Sequence, residues 1–558
     1  MNITKKYKKY KIKLTDETID DYCAPNKFKL QPQQEFLAEY FTSKEAPPGM
    51  LVFHQIGAGK TCAAISVAEK LKNKLKIIIV VPASLIGNFM DELRSPCSNY
   101  NYITQSEQKK LSTLNIDDPE YYEIIKKSEK KIKKFYTIYS YHKFVELAQN
   151  NKIKLKNTLL IIDEIQNMVS LTGTFYKTLK ELIDNSDNSL RILILSATPM
   201  FDRPNEIGLT LNLLKPKIKF PIGNDFNEEF LLKTGLNYNV INMPKFINLT
   251  KGLVSYYRGA PPYTYPEQIF KVVKCQMSDF QFKSYLTALS SEGDYIKGAF
   301  KNVDILNLPF NFSLGTRMVS NIAFPNKSIG EIGFNDFKDK HLMFQNISNF
   351  SIKFYKILKK IKKSEGPTFV YSNFKDFGGL RSFIKFIEYQ GYKNYKIHGE
   401  GPNRYSMWTG DESQRMKEEI KKIFNKKENK DGSKIKIMLG SPSVKEGVSF
   451  KRVRQVHILE PYWNMSRILQ IIGRAIRFCS HSDIIKVNRR VEVFLYLAIR
   501  AGEETIDQHI WKIAKEKYKI IQIFETGLKE VAIDCELFYN RNVYKTDEYK
   551  LKCNLYNK

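Results

Sequence analysis

The sequence predicts an α/β protein with two parallel-sheet lobes, a partly helical insertion between them and a helical C-terminal extension. Short apolar runs such as KIIIVV (76–81) and NTLLIID (157–163) are typical of strands that are buried on both faces of a parallel sheet. The stretch 216–345 lacks comparable motifs and is rich in Phe, Tyr, Asn and Lys, which indicates an insertion. A second set of apolar runs follows it, near TFVYS, NYKIH, IKIML, RQVHIL and VEVFLYLA.

The chain divides into five expected segments. Its length of 558 residues suggests about three to four folding units. Apolar residues at helical spacing between 505 and 532 predict a helix near the C-terminal end. We expect a basic N-terminal arm at 1–27, a first lobe at 28–215, the insertion at 216–345, a second lobe at 346–500 and the extension at 501–558.

A glycine-rich turn joins a strand to a helix in LVFHQIGAGKTCAAI (51–65). Gly57 and Gly59 lack a Cβ, so the turn can aim backbone N–H groups at phosphates that sit at the positive end of the following helix. Lys60 would reach the β- and γ-phosphates of a nucleotide, and the Thr61 hydroxyl would hold Mg²⁺. The pattern therefore predicts a site for ATP and Mg²⁺, and its remaining loop residues are Ala58 and Cys62.

The turn departs from the common phosphate-binding pattern at one position. The pattern G-x-x-x-x-G-K-[ST] would place its first glycine where this chain has His54. An ordinary turn that starts a helix is the alternative interpretation. The acidic residues of a second strand decide between the two.

Asp163 and Glu164 follow the apolar run in NTLLIIDEIQN (157–167). The carboxyl end of a parallel strand is where an open α/β sheet places its chemistry. Asp163 is suited to bind Mg²⁺ and Glu164 to polarise the attacking water, although two solvated acids after a strand would give the same pattern. A further strand, RILILSATPM (191–200), ends in small hydroxyl residues that could couple the nucleotide state to neighbouring loops.

Six further segments continue this series along the chain: LQPQQEFLAEYF (30–41), VVPASLIGNFMDEL (80–93), YTIYSYHKF (136–144), GPTFVYSNFKDFGGL (366–380), MLGSPSVKEGVSF (438–450) and ILQIIGRAIR (468–477). Together the motifs resemble those of superfamily 2 helicases and translocases, in order, over roughly residues 28–540. The resemblance implies two RecA-like lobes with ATP between them and nucleic acid across their tops. It also implies that Gln34 reads the adenine base and that Gly447 helps to bind the nucleotide.

The most specific of these matches is the last, in which Gln470, Gly473, Arg474 and Arg477 fit Q-x-x-G-R-x-x-R. The resemblance implies catalytic roles for Gln470 and for both arginines, which would neutralise charge that develops on the γ-phosphate. A spacing of three residues predicts that the two guanidinium groups lie on one helix face. A basic, solvated helix face is the alternative.

Five other segments give a closer resemblance: KGLVSYYRG (251–259), TRMVSNIAFP (316–325), IHGE to WTGDE (397–412), LEPYWNMSRILQIIGRAIRFCSH (459–481) and VAIDCELFYN (531–540). They are similar to the helicase-like ATPases of large cytoplasmic DNA viruses, which include the poxvirus early transcription factor small subunit and nucleoside triphosphatase I. This resemblance implies a role in viral transcription initiation or termination, a viral RNA polymerase or transcription factors as partners, and a location in the virion and host cytoplasm. A replication or repair helicase and a structural, virion-packaged subunit are the alternatives.

Charge supports a polyanionic partner. The net charge is +30 and the isoelectric point is near 9.5, and phosphate neutralisation dominates affinity for nucleic acid. The excess of lysine is also expected from an AT-rich genome, so the motifs carry more weight than the charge. The turn at 461–464 resembles that of Swi/Snf-type translocases on double-stranded DNA, which favours DNA over RNA. No apolar run reaches about 18 residues, so no membrane span is expected.

The seven cysteines are scattered and never form C-x-x-C. This spacing argues against a zinc ribbon, and a disulfide framework is not expected in so long a chain. We therefore expect reduced thiols. For His54, His398 and His481, which lie within motif-like segments, packing or hydrogen bonding is expected in preference to catalysis.

Overall fold

A computed structural model describes residues 3–13, 18–24, 28–114, 117–235, 237–292, 305–306, 312–445, 448–544 and 547–553. The chain forms two compact units, and we describe each by itself. The first unit consists of Met1–Thr234, Tyr238–Pro261 and Ile520–Lys558, and the second of Gly235–Asn237 and Pro262–Lys519. The stretch that the sequence suggests as an insertion thus contributes to both units, and so does the C-terminal extension.

The first unit contains a six-stranded sheet in which every pairing is parallel. Its strands are β1 (Gly49–His54), β2 (Lys76–Val81), β3 (Tyr136–Ser140), β4 (Thr158–Asp163), β5 (Arg191–Ser196) and β8 (Val254–Tyr257). Their spatial order is β3-β2-β4-β5-β1-β8, and a separate two-stranded sheet pairs β6 (Leu231–Thr234) with β7 (Asn237–Val240). The strands that the sequence predicts in this lobe are confirmed. Strand β8 was not predicted, because its four residues lie within the expected insertion.

The helices of the first unit begin and end at recognisable residues. Pro32 starts α3 at a position where a missing N–H costs nothing, and Gly59 in the left-handed conformation precedes α4. The helices are α1 (Ile3–Lys6), α2 (Ile19–Cys23), α3 (Pro32–Phe41), α4 (Lys60–Leu71), α5 (Ile86–Leu93), α6 (Gln105–Thr113), α7 (Pro119–Ile132), α8 (Tyr141–Gln149), α9 (Thr174–Asp184), α10 (Glu206–Asn212), α11 (Gly223–Phe230) and α12 (Met243–Thr250).

The second unit contains a seven-stranded sheet that is also parallel throughout. Its strands are β9 (Glu267–Gln276), β10 (Thr368–Tyr371), β11 (Lys393–Asn394), β12 (Arg404–Trp408), β13 (Ile437–Gly440), β14 (Gln455–Ile458) and β15 (Arg490–Ile499). Their spatial order is β11-β12-β13-β10-β14-β15-β9. The predictions near TFVYS, IKIML, RQVHIL and VEVFLYLA are confirmed, whereas β9 and β12 were missed.

The strand that the sequence predicts near NYKIH is wrong for most of its length. Residues Tyr395–His398 form a helical turn instead, and the strand ends at Asn394. The Asn394 side chain accepts a hydrogen bond from the Lys396 backbone N–H at 2.9 Å, which starts the turn, and Gly399 ends it at φ +65°. These local bonds override the alternating apolar pattern.

The remaining helices belong mainly to the second unit: α13 (Asp279–Ser291), α14 (Leu314–Asn321), α15 (Glu331–Asp336), α16 (Asp339–Leu342), α17 (Ile347–Phe350), α18 (Ile352–Ile361), α19 (Leu380–Tyr389), α20 (Tyr395–His398), α21 (Gln414–Phe424), α22 (Met465–Ile472), α23 (Ile506–Glu530) and α24 (Tyr539–Asn542). The long helix predicted over 505–532 is confirmed as α23, which passes from the second unit into the first at residue 520. Within the described parts of the chain, no helix is long and apolar enough to cross a membrane.

A buried polar network fixes one end of α18 in the second unit. Lys353 Nζ lies 2.6 Å from Asp507 Oδ2, and both side chains are almost completely shielded from solvent. The same amino group donates to Asn321 Oδ1 at 2.9 Å, and Asn321 Nδ2 donates to Glu460 Oε2 at 3.0 Å. Burial raises the pKa of Glu460, while the nearby Lys353 opposes that shift. Because a charge buried without a partner is costly, these four residues depend on one another.

The expectation of reduced thiols is wrong for this structure. Cys62 is bonded to Cys97, and Cys535 to Cys553. Cys62 lies at the start of α4, and Cys97 lies in a short turn that packs on that helix. Sequence spacing could not reveal these pairs, because the connectivity of cysteines depends on contacts between distant segments.

We expect the Cys62–Cys97 bond to stabilise the first unit. Peptide mapping without reductant should recover these two cysteines in one linked peptide. The double variant Cys62→Ser/Cys97→Ser should lower the free energy of unfolding by about 2–4 kcal/mol, because the bond restricts the unfolded chain. Denaturant titrations without reductant provide the measurement, and the gap between the two proteins should shrink when reductant is added. Equal unfolding midpoints without reductant would contradict the assignment.

Candidate functional site

The glycine-rich turn follows β1 at the carboxyl edge of the first sheet. Gly57 and Gly59 have φ values of +80° and +76°, which side chains with a Cβ rarely adopt. A Cβ on Gly59 would also lie 2.6 Å from Gln34 Nε2, too close for any real contact. Lys60 and Thr61 then open α4, whose first N–H groups point toward the turn. The arrangement has the form of a phosphate-binding loop at a helix N-terminus.

Gln34 lies against this turn. Its Nε2 donates to the Gly59 carbonyl oxygen at 3.3 Å, and its Oε1 accepts from the Gln31 backbone N–H at 2.9 Å. The Oε1 bond orients the side chain at the start of α3, and the Nε2 bond connects α3 to the turn. Whether Gln34 also reads an adenine base stays a prediction.

The acidic pair lies where β4 ends. The Asp163 side chain is only 6% exposed, and Glu164 adopts the left-handed conformation at φ +52°. The Glu164 backbone N–H donates to Asp163 Oδ1 at 2.9 Å. The Tyr141 hydroxyl donates to the carbonyl oxygens of both residues and holds the turn in place. Burial, together with the neighbouring charge of Glu164, raises the pKa of Asp163 to about 7, and the positive charge of Lys60 opposes this shift.

A chain of hydrogen bonds connects Glu164 to the end of β5. Gln166 Nε2 donates to Glu164 Oε2, and Gln166 Oε1 accepts from the Ser196 hydroxyl at 2.8 Å. Ser196 Oγ in turn accepts from the Thr198 backbone N–H at 3.0 Å. The chain gives the hydroxyl residues after β5 a direct connection to the acidic pair. Sequence reasoning missed Gln166, although its position two residues after Glu164 is a usable signal.

The sheet order explains why these groups meet. Strand β5 lies between β4 and β1, and all three run in the same direction. Their carboxyl ends therefore share one edge, which carries Asp163, Ser196 and the turn before Lys60. Three segments that are far apart in sequence thus form a single site.

The arginine motif lies at the end of α22 in the second unit. Gln470 is within α22, but the helix ends at Ile472, so Arg474 and Arg477 follow it in an irregular segment. The prediction that both guanidinium groups share a helix face is therefore wrong. The helix stops at Gly473, a residue with low helix propensity, and the chain beyond it bonds to a neighbouring segment instead.

That neighbouring segment belongs to the motif at 438–450. The Phe450 backbone N–H donates to the Arg474 carbonyl oxygen at 2.8 Å, and Arg474 Nη1 lies 3.4 Å from the Val448 carbonyl oxygen. The Arg452 backbone N–H donates to the Ser480 carbonyl oxygen at 3.1 Å. The two motifs are thus tied together. Gly447, which the sequence assigns to nucleotide binding, lies outside the described residues.

The turn at 461–464 forms an aromatic cluster that is shielded from solvent. The rings of Tyr462 and Trp463 stack with centroids 4.0 Å apart, and each residue is 5% exposed. The Arg467 guanidinium lies 3.6 Å from the Tyr462 ring centroid, and that of Arg317 lies 4.9 Å from the Trp463 centroid. Such contacts are favourable because the ring face attracts a cation. In this structure the turn is part of the buried interior of the second unit.

Two family models match this chain. Residues 33–322 match the SNF2-related domain, and residues 352–479 match the helicase conserved C-terminal domain. A solved structure, the Sulfolobus solfataricus SWI2/SNF2 ATPase core in complex with dsDNA, aligns over 95% of this chain and 99% of that chain at 14% identity. Its TM-score of 0.31 is too low to support a conclusion.

Relatives occur in large DNA viruses. The "Putative ATP-dependent RNA helicase R563" of Acanthamoeba polyphaga mimivirus is 50% identical over 98% of this chain and 96% of its own length. The termination factor NPH-I homolog of African swine fever virus (isolate Tick/South Africa/Pretoriuskop Pr4/1996) is 26% identical over 87% of this chain and 76% of its own length. With both domains and these relatives, the chain belongs to the SNF2-related, superfamily 2 helicase-like ATPases and is similar to the helicase proteins of large DNA viruses.

Proposed function

We propose that this ATPase is stimulated by nucleic acid, translocates along DNA, and acts in viral transcription initiation or termination. The observation that supports it best is the shared edge of the first sheet, which brings the phosphate loop, Asp163 and Glu164 together. Such an edge can bind a nucleoside triphosphate and direct water at its γ-phosphate.

Each residue at this edge has a proposed role. The backbone N–H groups of the loop and the Lys60 amino group bind the phosphates. Glu164 orients and polarises the attacking water, and its bond from Gln166 fixes the carboxylate. The same bond reports the state of Glu164 to Ser196, and through it to the loop after β5. Hydrolysis can therefore change the conformation of a neighbouring loop, as a motor requires.

The residues fit a bound magnesium ion. Thr61 and Asp163 offer the hard oxygen ligands that Mg²⁺ prefers, and the ion usually completes its shell with phosphate oxygens and waters. When bound, Mg²⁺ would neutralise charge on the β- and γ-phosphate oxygens. The buried Asp163 carboxylate would then have a cation next to it in addition to the nearby charge of Lys60.

The proposed role of the two arginines rests on the motif pattern and not on the placement of the two units. We propose that Arg474 and Arg477 neutralise charge on the γ-phosphate during hydrolysis, and that Gln470 supports them. The bonds between the arginine segment and residues 448–452 support this role, because they hold its backbone in one conformation. The guanidinium groups can then act without a large loss of conformational entropy in the backbone that carries them.

The names of the relatives support the biological role only in outline. One relative is named as a termination factor and another as a putative RNA helicase, so the names favour no single nucleic acid. The resemblance of the 461–464 turn to double-stranded DNA translocases is our reason to propose DNA. A replication or repair helicase is the second candidate, and co-purification with a viral RNA polymerase would separate the two.

Removal of the general base should separate binding from chemistry. Glu164→Gln should bind Mg·ATP about as well as the parent chain but lose most turnover, because the amide keeps the shape and lacks the basicity. Lys60→Ala is the matched variant, and it should weaken nucleotide binding as well. Fluorescent-nucleotide titration and steady-state hydrolysis measure the two effects. Full turnover by Glu164→Gln would remove Glu164 from its proposed role.

The arginine motif can be tested in the same assays. Arg477→Ala should bind ATP with nearly unchanged affinity and reduce its hydrolysis by about 10³-fold or more, because an arginine finger acts mainly on the transition state. Arg381→Ala removes an exposed arginine of the same unit and serves as the control. If Arg477→Ala lost nucleotide binding without a separate catalytic defect, Arg477 would be a structural residue.

Stimulation by nucleic acid tests the motor against a structural, virion-packaged subunit. Contacts to phosphates position a protein without reading sequence, so activation should be nearly independent of base sequence. It should fall steeply with salt, since each neutralised phosphate adds about −0.7 to −0.9 to the slope of log affinity against log salt. Hydrolysis rates with duplex DNA, single-stranded DNA and RNA, measured in parallel, provide the test. We expect duplex DNA to stimulate hydrolysis at least as well as single strands. If none of the three nucleic acids changed the hydrolysis rate of the folded protein at low salt, the proposed motor function would be wrong.

A further inference from the structure

The outer edge of β8 is covered by a segment from the other end of the chain. The carbonyl oxygens of Leu253, just before β8, and of Tyr257, its last residue, accept from the N–H groups of Leu51 and Gln55 on the β1 side. The alternate residues Val254 and Tyr256 therefore direct their backbone groups away from β1. The Ile533 N–H donates to the Val254 carbonyl oxygen at 2.9 Å, and the Tyr256 N–H donates to Asp534 Oδ1 at 2.9 Å. The C-terminal segment thus takes the place of a further strand.

Asn542 completes this cover. Its Nδ2 donates to the Tyr256 carbonyl oxygen at 3.3 Å, and its Oδ1 accepts from the Arg258 backbone N–H at 2.9 Å. The segment that contains Asp534 and Asn542 therefore bonds to the Val254 carbonyl oxygen, both backbone groups of Tyr256 and the Arg258 N–H. This accounts for the segment's position, but it leaves the second oxygen of Asp534 without a role in the edge.

That second oxygen begins a buried chain that leads to the phosphate loop. The Ser255 hydroxyl donates to Asp534 Oδ2 at 2.5 Å, and Ser255 Oγ lies 3.0 Å from His54 Nε2. All three side chains are completely buried. His54 is the last residue of β1, and the next residue, Gln55, donates its N–H to the Tyr257 carbonyl oxygen at 3.0 Å. This series of hydrogen bonds therefore ends at the residue where the loop leaves the sheet.

The donor and acceptor order in this series of hydrogen bonds depends on Asp534. Burial, with the nearby charge of Lys60, lowers the pKa of His54 to about 3, so the ring is neutral and carries one proton. An ionised Asp534 accepts from Ser255, and Ser255 then accepts from His54, which places the ring proton on Nε2. His54 Nδ1, which has no hydrogen-bond partner within the described residues, is then a bare acceptor. A group that donated to Ser255 would reverse the chain and move the ring proton to Nδ1.

We propose that Asp534 is a positioning residue for the phosphate loop. Through Ser255 it fixes one tautomer and one orientation of His54, and so the C-terminal segment sets the conformation of the loop without touching the nucleotide. The inference rests on the proposed ATP site at that loop. It gives the motif VAIDC a task in nucleotide binding, beyond its packing against β8.

The test uses the full chain at pH 8, because burial raises the pKa of Asp534 to about 7 and the carboxyl group is then mostly ionised. Asp534→Asn keeps the shape and the bond from the Tyr256 N–H, but its amide would donate to Ser255 and reverse the chain. Ser255→Ala interrupts the chain with little change in volume. Each variant should raise the dissociation constant for ATP about tenfold and change the turnover at saturating ATP by less than about threefold. Glu548→Gln removes an exposed carboxylate of the same segment and is the matched control.

Two readouts distinguish positioning from a merely structural role. The double variant Asp534→Asn/Ser255→Ala should bind ATP no more weakly than either single variant, since both interrupt one chain. Nitrogen-15 spectra of histidine-labelled protein should show the His54 proton on Nε2 in the parent chain and on Nδ1 in Asp534→Asn. The His54 signal is the one missing from His54→Gln.

The outcomes separate this inference from the proposed function. If Lys60→Ala binds ATP as well as the parent chain, the ATP site itself is wrong. If Lys60→Ala loses binding while Ser255→Ala and Asp534→Asn bind ATP within about twofold of the parent chain, the positioning role is overturned and only the cover of β8 remains. Should Asp534→Asn fail to fold, Ser255→Ala and the His54 tautomer in the parent chain still decide the question. A ring proton on Nδ1 in the parent chain would overturn it.

Discussion

The site depends on the common direction of the strands in the first unit. Parallel pairing of β4, β5 and β1 brings three carboxyl ends to one edge, and each end carries a different chemical group. If β5 ran antiparallel to its two neighbours, Ser196 would lie at the edge opposite Asp163 and the loop before Lys60. The crossover helices that parallel pairing requires also cover both faces, which is why these strands consist of apolar runs. The pattern that identifies the fold and the geometry that creates the site thus have the same cause.

The sequence predicts this first sheet well because its signal is local. Each apolar run lies within about ten residues of the glycines or acids that follow it. Prediction fails where a local turn overrides the apolar pattern and where distant segments decide the structure. Residues Tyr395–His398 form a turn through Asn394, and the helix before Arg474 stops at Gly473. The disulfide between Cys62 and Cys97 and the hydrogen bond between Ser196 and Gln166 join residues that are 35 and 30 positions apart.

Four of the five segments that give the chain its viral resemblance meet in two pairs. VAIDCELFYN covers the edge strand of KGLVSYYRG through Ile533 and Asp534. In the second unit, Asn321 of TRMVSNIAFP donates to Glu460 of LEPYW. In both pairs a buried carboxylate accepts from partners that are more than 100 residues away. Such contacts explain why several short, separated segments form one signature, because neither member of a pair is satisfied alone.

His54 shows how a departure from a motif can still be consistent with it. Glycine is required where φ is positive, as at Gly57 and Gly59, but His54 is not among the positive-φ residues. It is the last residue of β1 and pairs with Tyr257. Its Nε2 lies 3.0 Å from Ser255 Oγ. The backbone at this position therefore does not require glycine, and His54 connects the strand from which the loop leaves to the C-terminal segment through Ser255.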